Sequence, residues 1–179
     1  ASRLLVKVYE EGGEEPLTRL ALMLRRWSLT PYFPASANIK GGRCLVAALL
    51  YPNDMAKALE RGKLDELAHL IVALERELKA LSRELGARYA GIDLSLSPWM
   101  EESVGELVEA VAGARIPEPG TFHAIVSLNK EISRLAKLSG VLTTGFNEVM
   151  LPLAEDNLLK ERGREGVLRL RDLVMMASA

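Results

Sequence analysis

Apolar residues recur along the chain with two different spacings. From Leu64 to Leu85 they recur every three or four positions, which places them on one face of a helix. A second stripe of this kind predicts a helix over 121–138. Elsewhere the apolar residues alternate with polar ones or form short runs, which predicts strands near 4–9, 43–51, 89–96 and 141–145. Strands separated by helices are typical of an α/β fold with a mainly parallel sheet, so we expect a single α/β domain over residues 1–179.

Polar side chains interrupt the strand predicted near 89–96. Asp93 and Ser95 alternate with Ile92 and Leu94, and they therefore share the opposite face of the strand. A strand flanked by helices is usually buried on both faces, and a buried carboxylate without partners is costly. Asp93 and Ser95 are thus candidates for a functional site, and the alternative is a sheet face exposed to water.

Capping residues and prolines predict where further helices begin. Ser97 can cap a helix whose first position is Pro98, and Glu101 and Glu102 would then lie early in that helix, where the helix dipole favours negative charge. Another apolar stripe predicts a helix over Pro16–Leu29.

Oxygen-bearing side chains gather between residues 145 and 157, after the strand predicted near 141–145. In α/β folds ligands bind beyond the carboxyl ends of the strands, where this segment begins. We expect Asp93 to meet it there, and the candidate metal ligands are then Asp93, Glu148, Glu155 and Asp156. Sites made of oxygen atoms favour Mg²⁺, Mn²⁺ or Ca²⁺. The alternative is that Glu155 and Asp156 mark the start of a helix, where acidic residues are favoured without any ligand.

Two kinds of role are expected of the polar residues. Carboxylates brought together raise the pKa of one of them, which suits a general acid, so the candidate catalytic residues are Asp93, Glu155 and Asp156. Hydrogen bonds to a ligand are expected from Ser95, Thr121, His123, Asn147 and Asn157. Thr121 can cap the helix over 121–138, and His123 lies in its first turn, near backbone N–H groups that can bind an anion.

Composition narrows the class of protein. The chain of 179 residues has a net charge of −1 and no basic block, which argues against nucleic acid as a partner. No apolar run reaches the roughly 20 residues of a membrane span. The single cysteine, Cys44, excludes an internal disulfide and fits a reducing compartment, so we expect a cytoplasmic protein. Glutamine is absent while Glu, Lys and Arg are abundant, which suggests a thermophile.

A set of segments carries a family resemblance. They read GIDLSLSP at 91–98, PGT at 119–121, MLPLAEDN at 150–157, YFPASAN at 32–38 and LLYP at 49–52. In these segments the chain resembles the DUF711 family, also called UPF0210, and particularly its archaeal members. The resemblance implies an α/β barrel related in fold to the glycyl radical enzymes, such as formate acetyltransferase. Because many members are longer, it also implies that residues 1–179 are the C-terminal portion of a longer family chain and part of a larger barrel.

The radical chemistry of those enzymes is not expected here. The segment RGREG at 162–166 does not fit a glycyl radical motif, and Cys44 has no second cysteine with which to form a thiyl pair. A shared fold does not by itself carry a function. We therefore expect no glycyl radical cofactor, and the family resemblance assigns no reaction.

Three functions are compatible with these observations. The first is an enzyme that acts on a small polar or anionic metabolite through a carboxylate-rich site at the strand ends. The alternatives are a non-catalytic module that binds a metabolite for regulation, and a structural subunit of a larger assembly. A partial barrel leaves unpaired strand edges and an uncovered apolar face, so we expect a homo-oligomer or a companion chain. Neither nucleic acid nor a membrane is an expected partner.

Overall fold

The computed structural model describes residues 2–13, residue 16 and residues 41–178. The elements in chain order are α1 (Ser2–Gly12), β1 (Cys44–Ala48), α2 (Pro52–Arg61), α3 (Leu64–Glu84), β2 (Arg88–Asp93), α4 (Val104–Ala112), α5 (Thr121–Ser139), α6 (Asn157–Arg164) and α7 (Leu170–Met176). The helix predicted over 16–29 lies outside the described residues, except for Pro16.

Strands β1 and β2 are parallel and form the sheet of the described region. Cys44 pairs with Arg88 at one end and Ala48 with Asp93 at the other. This arrangement confirms the strands predicted near 43–51 and 89–96, and with them the α/β class. The segment predicted as a strand near 141–145 lies parallel to the end of β2 and joins it through a single bridge between Thr143 and Ile92. Within residues 41–178 these strands do not close into a barrel.

The strand predicted near 4–9 is wrong, because these residues lie in helix α1. A short apolar run fits a strand or a helix equally well, and its spacing alone does not decide between them. In the helix Lys7 and Glu11 stand one turn apart and form an ion pair of 3.6 Å. Leu4 and Val6 are exposed, so burial in a sheet does not hold this segment extended.

The helices predicted over 64–85 and 121–138 are confirmed. Helix α3 contacts both strands and α5, and α5 also contacts α4. Ile71 of α3 and Leu128 and Ile132 of α5 are buried in one cluster with Ile92 and Leu94. Each such side chain contributes about 1.5–3 kcal/mol by leaving water. This cluster forms the core beneath the segment that continues β2.

Helix α4 begins six residues later than its predicted start at Ser97. Its cap is Ser103, whose side chain accepts the backbone N–H of Glu106 at 2.9 Å. The delay has a tertiary cause, because the chain after β2 stays paired with its neighbour as far as Met100, which bridges to Asp156. Glu102 therefore lies before α4, and its carboxylate accepts the backbone N–H of Asn53, at 2.8 Å, in the first turn of α2.

Gly91 allows the segment near 141–145, which we call the third segment, to approach β2. Its φ is +113°, a value that side-chain-bearing residues rarely adopt. A Cβ atom at this position would lie 2.7 Å from the carbonyl oxygen of Leu142 and 3.2 Å from the carbonyl carbon of Thr143. The glycine thus permits the contact that brings the loop after Leu142 beside Asp93.

Candidate functional site

The buried carboxylate of Asp93 organises the end of β2. One of its oxygens accepts the backbone N–H groups of Ser95 at 2.8 Å and Asn147 at 3.2 Å. The other accepts the backbone N–H of Phe146 at 2.9 Å. Asp93 is fully buried, and these three donors replace the water that the carboxylate loses on folding. The expectation that a buried Asp93 needs partners is thereby met, by the backbone of residues 143–149, which we call the 143–149 loop, and by the strand's own continuation.

An unequal pairing explains why these N–H groups point at Asp93. Ile92 bridges to Thr143 and Leu96 bridges to Val149, so four steps along the strand face six steps along the loop. The two extra residues bulge out of the pairing, which leaves backbone N–H groups for Asp93. Asn147 accommodates the bulge in the left-handed region at φ 55°, a conformation that asparagine tolerates better than most residues.

Side chains of Asn147 and Ser95 fix the same loop. Asn147 accepts the backbone N–H of Leu94 at 3.1 Å and donates its amide to the carbonyl of Thr144 at 3.0 Å. The hydroxyl of Ser95 accepts the backbone N–H of Glu148 at 3.2 Å. The structure therefore brings Asp93, Ser95 and Asn147 together at the carboxyl end of β2.

A cavity of about 310 Å³ opens beside this loop. It lies between the loop, α5 and α7, and its lining consists of Ile125, Asn129, Phe146, Glu148, Val149, Met150, Leu151, Leu173, Met176 and Ala177. Glu148 is exposed and supplies the carboxylate of this lining. Asn129 of α5 accepts the backbone N–H of Val149 at 2.8 Å, which ties the helix to the loop. The cavity is apolar with a few polar groups, which is typical of small-molecule sites.

Asp156 belongs to a different hydrogen-bond network, at the start of two helices. It caps α6 by accepting the backbone N–H groups of Leu158 and Leu159 at 3.0 and 3.1 Å. It also accepts the backbone N–H of Gly105 at 2.9 Å and the hydroxyl of Ser103 at 2.8 Å, both at the start of α4. A buried carboxylate here complements the positive ends of both helices. Asp156 therefore has the structural role given above as the alternative to a ligand site.

The structure separates Asp93 from Glu155 and Asp156. Asp93 lies next to the bridge between Ile92 and Thr143, whereas Asp156 bridges to Met100, seven residues beyond Asp93. Seven residues that continue along one neighbouring segment span on the order of 20 Å. Across the part of the chain that is described, no group of three or more His, Cys, Asp or Glu residues could hold a metal ion. The cation site expected between Asp93 and the Glu155–Asp156 pair is therefore not formed. Asp93 lies beside the bridge from Ile92 to Thr143, and Asp156 lies at the bridge to Met100.

The other predicted ligand-binding residues lie away from the 143–149 loop. Thr121 is buried and donates its hydroxyl to the carbonyl of Glu118 at 2.8 Å, and the N-cap position of α5 is taken by Gly120. His123 is exposed in the first turn of α5. The amide of Asn157 donates to Glu101 at 3.2 Å on the surface. Thr121, His123 and Asn157 do not line the 310 Å³ cavity.

Glu75 is a structural residue that the sequence did not reveal. Its buried carboxylate accepts the ammonium of Lys79 at 2.7 Å, the backbone N–H of Leu142 at 2.8 Å and the hydroxyl of Tyr89 at 3.2 Å. Burial opposes its ionisation, but these hydrogen bonds outweigh burial and lower the pKa of Glu75. Burial and the charge of Glu75 raise the pKa of Tyr89. Glu75 thus holds α3, β2 and the start of the third segment together.

Arg162 and Glu109 form a second network that sequence reasoning missed. The buried Arg162 guanidinium bonds both oxygens of Glu109, at 2.8 and 3.1 Å, which joins α6 to α4. Burial opposes ionisation of Glu109, yet the hydrogen bonds from Arg162 and from the backbone N–H of Ile116 lower its pKa. No sequence signal pairs two residues so far apart in the chain.

Comparison with known proteins assigns the family. The profile of the family described as "Uncharacterised ACR (DUF711)" matches residues 9–179, and the chain belongs to this family. A UPF0210 protein of Sulfurisphaera tokodaii is 24% identical over 193 residues, which cover 99% of this chain and 43% of the relative. One from Bifidobacterium adolescentis is 25% identical over 138 residues, covering 70% of this chain and 30% of the relative. One from Pyrobaculum islandicum is 29% identical over 92 residues, which cover 50% of this chain and 20% of the relative.

These comparisons confirm the resemblance to DUF711 and UPF0210 proteins, archaeal ones included. The chain spans less than half the length of these relatives. No solved structure matches the chain, and the relation to glycyl radical enzymes stays an expectation. Among the described helices, none is long and apolar enough to cross a membrane.

Proposed function

We propose that this protein is an enzyme acting on a small polar or anionic metabolite, with its site in the cavity beside the 143–149 loop. The observation that carries the proposal is the position of this loop. The Asp93 carboxylate accepts the backbone N–H groups of Phe146 and Asn147 and so holds the loop at the carboxyl end of β2, where α/β folds place their ligands. Buried hydrogen bonds of this kind preorganise a site so that its exposed groups meet a ligand in a fixed geometry.

Glu148 is the group we assign to the chemistry. Its backbone is fixed by Ser95, while its carboxylate is exposed at the cavity. A carboxylate so placed can accept a proton from a substrate, or bind Mg²⁺, Mn²⁺ or Ca²⁺ together with groups of the substrate. Asp93 acts as a positioning residue, because its oxygens are committed to the backbone. Catalytic roles for Glu155 and Asp156, and ligand contacts by Thr121, His123 and Asn157, stay predictions.

A metabolite screen by thermal shift tests the proposal. A specific ligand should raise the melting temperature of the wild-type chain and should do so less for Glu148→Gln. The exposed Glu106 of α4 offers a matched control, because Glu106→Gln removes the same charge away from the cavity. Conversion of the ligand would then distinguish an enzyme from a binding module. A ligand that shifts wild type and Glu148→Gln equally would contradict the site.

The second candidate is a subunit of a larger assembly. Helix α7 exposes Leu170, Val174 and Met175, which are 76%, 65% and 64% exposed. Apolar surfaces of this kind usually mark an interface. We propose that this sheet is part of a barrel of the type related to glycyl radical enzymes. The observation behind this proposal is that the relatives are longer than the segment that they share with this chain. An assembly of this kind is compatible with an enzyme site in the cavity.

A further inference from the structure

We propose that one face of α5 binds the anionic group, a phosphate or a carboxylate, of a ligand whose body occupies the 310 Å³ cavity. This face consists of Lys130, Ser133, Arg134 and Lys137, and we call it the α5 basic strip. The proposal rests on the proposed function for the position of the ligand body. The strip itself can be tested without a known substrate.

The strip has the geometry of a shallow anion site. Its residues follow the first one by three, four and seven positions, so they share one face of the helix, with neighbouring Cβ atoms about 5–6 Å apart. Together with Val126 and Asn129 they line a surface depression of about 460 Å³. Two or three of these side chains can therefore reach a single phosphate or carboxylate group.

The charge of the strip is positive although the whole chain is slightly acidic. Lys130, Arg134 and Lys137 supply three positive charges, and the ion pair described among them joins Arg134 to Glu131 at 3.4 Å. Three cations and one acid leave a local charge of +2, whereas the 179 residues together carry −1. Like charges on one helix face repel, which costs stability unless an anion lies between them.

Asn129 connects the strip to the cavity. It lines both the depression on α5 and the 310 Å³ cavity, and its side chain is fixed by the backbone N–H of Val149 at 2.8 Å. Glu148 lies in the lining of that cavity, so the two regions carry opposite charges. The arrangement fits a ligand with an anionic end on α5, an apolar body in the cavity and a hydrogen-bond donor or cation towards Glu148.

Binding of phenyl phosphate tests whether the α5 basic strip holds an anionic group, because this probe carries an apolar ring and a phosphate. Isothermal titration should show that phenyl phosphate binds the 179-residue chain and that this binding weakens as the salt concentration rises. Lys130→Gln with Lys137→Gln should weaken it about tenfold, since each lost cation removes one attraction to the phosphate. Lys7→Gln with Lys57→Gln is the matched control, because it removes the same charge from exposed lysines on α1 and α2 and should leave the dissociation constant unchanged.

Two further measurements separate this inference from the proposed function. Inorganic phosphate should bind more weakly than phenyl phosphate, and its binding should be weakened by the same pair of substitutions at Lys130 and Lys137. The substitution Glu148→Gln should not weaken the binding of inorganic phosphate. Equal binding of phenyl phosphate by both double variants, or no binding by wild type at millimolar concentration, would overturn the inference and leave the role of Glu148 standing. Strip-dependent binding of a single-stranded oligonucleotide that is tighter than that of phenyl phosphate would overturn the small-ligand assignment.

Discussion

The Asp93 carboxylate accepts the backbone N–H of Asn147, at 3.2 Å, across 54 positions of sequence. In return the side chain of Asn147 accepts the backbone N–H of Leu94, the residue after Asp93, at 3.1 Å. Each residue therefore satisfies the backbone of the other's segment. This reciprocal pair fixes the 143–149 loop to the end of β2, and the predicted site depends on it.

Replacing Asp93 by Asn should destabilise the fold and disorder the site together. The amide group of Asn would place donors against one of the N–H groups that Asp93 now accepts, and each buried polar group left unsatisfied costs about 1–3 kcal/mol. We expect a loss of about 2–3 kcal/mol in urea unfolding, with weaker ligand binding. Glu148→Gln is the comparison, because it should weaken ligand binding at nearly unchanged stability. An Asp93→Asn variant as stable as wild type would show that the carboxylate does not hold the loop.

Asp156 and Glu155 should respond differently to neutralisation, although they are adjacent in sequence. If they shared a crowded acidic site with Asp93, neutral replacements would relieve repulsion and stabilise the fold. Because Asp156 instead bonds the N-termini of α4 and α6, Asp156→Asn should lower the free energy of unfolding by about 2 kcal/mol. Glu155→Gln should change it by less than about 0.5 kcal/mol, since its side chain is exposed. Chemical denaturation of both variants checks this, and a stabilised Asp156→Asn would favour the crowded site.

Acid should destabilise the protein through Glu75 and Glu109. The pKa of each is lowered in the folded state from an ordinary value of 4.5, by the bonds from Lys79 and Arg162 respectively. The stability they contribute is therefore present above pH 4.5 and is lost as the pH falls through their folded pKa values. The melting temperature should be nearly flat from pH 7 to about pH 5 and should fall below that.

The variant Glu109→Gln isolates one of these contributions. Its melting temperature should be lower at pH 7, and the decrease in acid should be smaller than for wild type. Glu84→Gln, at the exposed end of α3, serves as the control with one fewer carboxylate and the wild-type pH profile. Parallel acid profiles for wild type and Glu109→Gln would show that the pair with Arg162 does not set this dependence.

Local patterns in the sequence were sufficient for the elements with regular packing. The stripe from Leu64 to Leu85 predicted α3 nearly to the residue, because apolar residues three and four positions apart form one face of a helix. The first part of this face, at Leu64, Leu67 and Ile71, is buried in the core. The alternation around Asp93 located β2 and the polar end of the strand. The role of Asp156 as a helix cap could also be inferred from the sequence, since acidic residues are favoured at the starts of helices.

Distant contacts decided what the sequence could not. Ser97 and Pro98 have the chemistry of a helix start, yet the chain stays paired with its neighbour up to the bridge between Met100 and Asp156. Helix α4 therefore begins only after its cap at Ser103. The expected meeting of Asp93 and Asp156 in one site depended on distant contacts in the same way. The order of the strands does not determine how far along the pairing each residue lies. The role of Glu75 depends on Leu142, 67 positions away. Such pairs become visible only when the register of the third segment is known.

The exposed face of α7 should make the purified chain self-associate. Leu170 and Val174 lie one turn apart on this helix and are 76% and 65% exposed, and Met175 beside them lines a second cavity with Phe122. In a purified sample only another copy of the chain is available to cover this apolar surface, so sedimentation velocity should show a dimer or larger species that increases with concentration.

The double variant Leu170→Glu with Val174→Glu should give a monomer of unchanged fold, because neither side chain is in the core. Leu70→Glu with Leu81→Glu places the same charges on exposed positions of α3 and should leave the association intact. A wild-type chain that remains monomeric at high concentration would contradict the interface. If only the α3 variant lost its association, the interface would lie on α3 and not on α7.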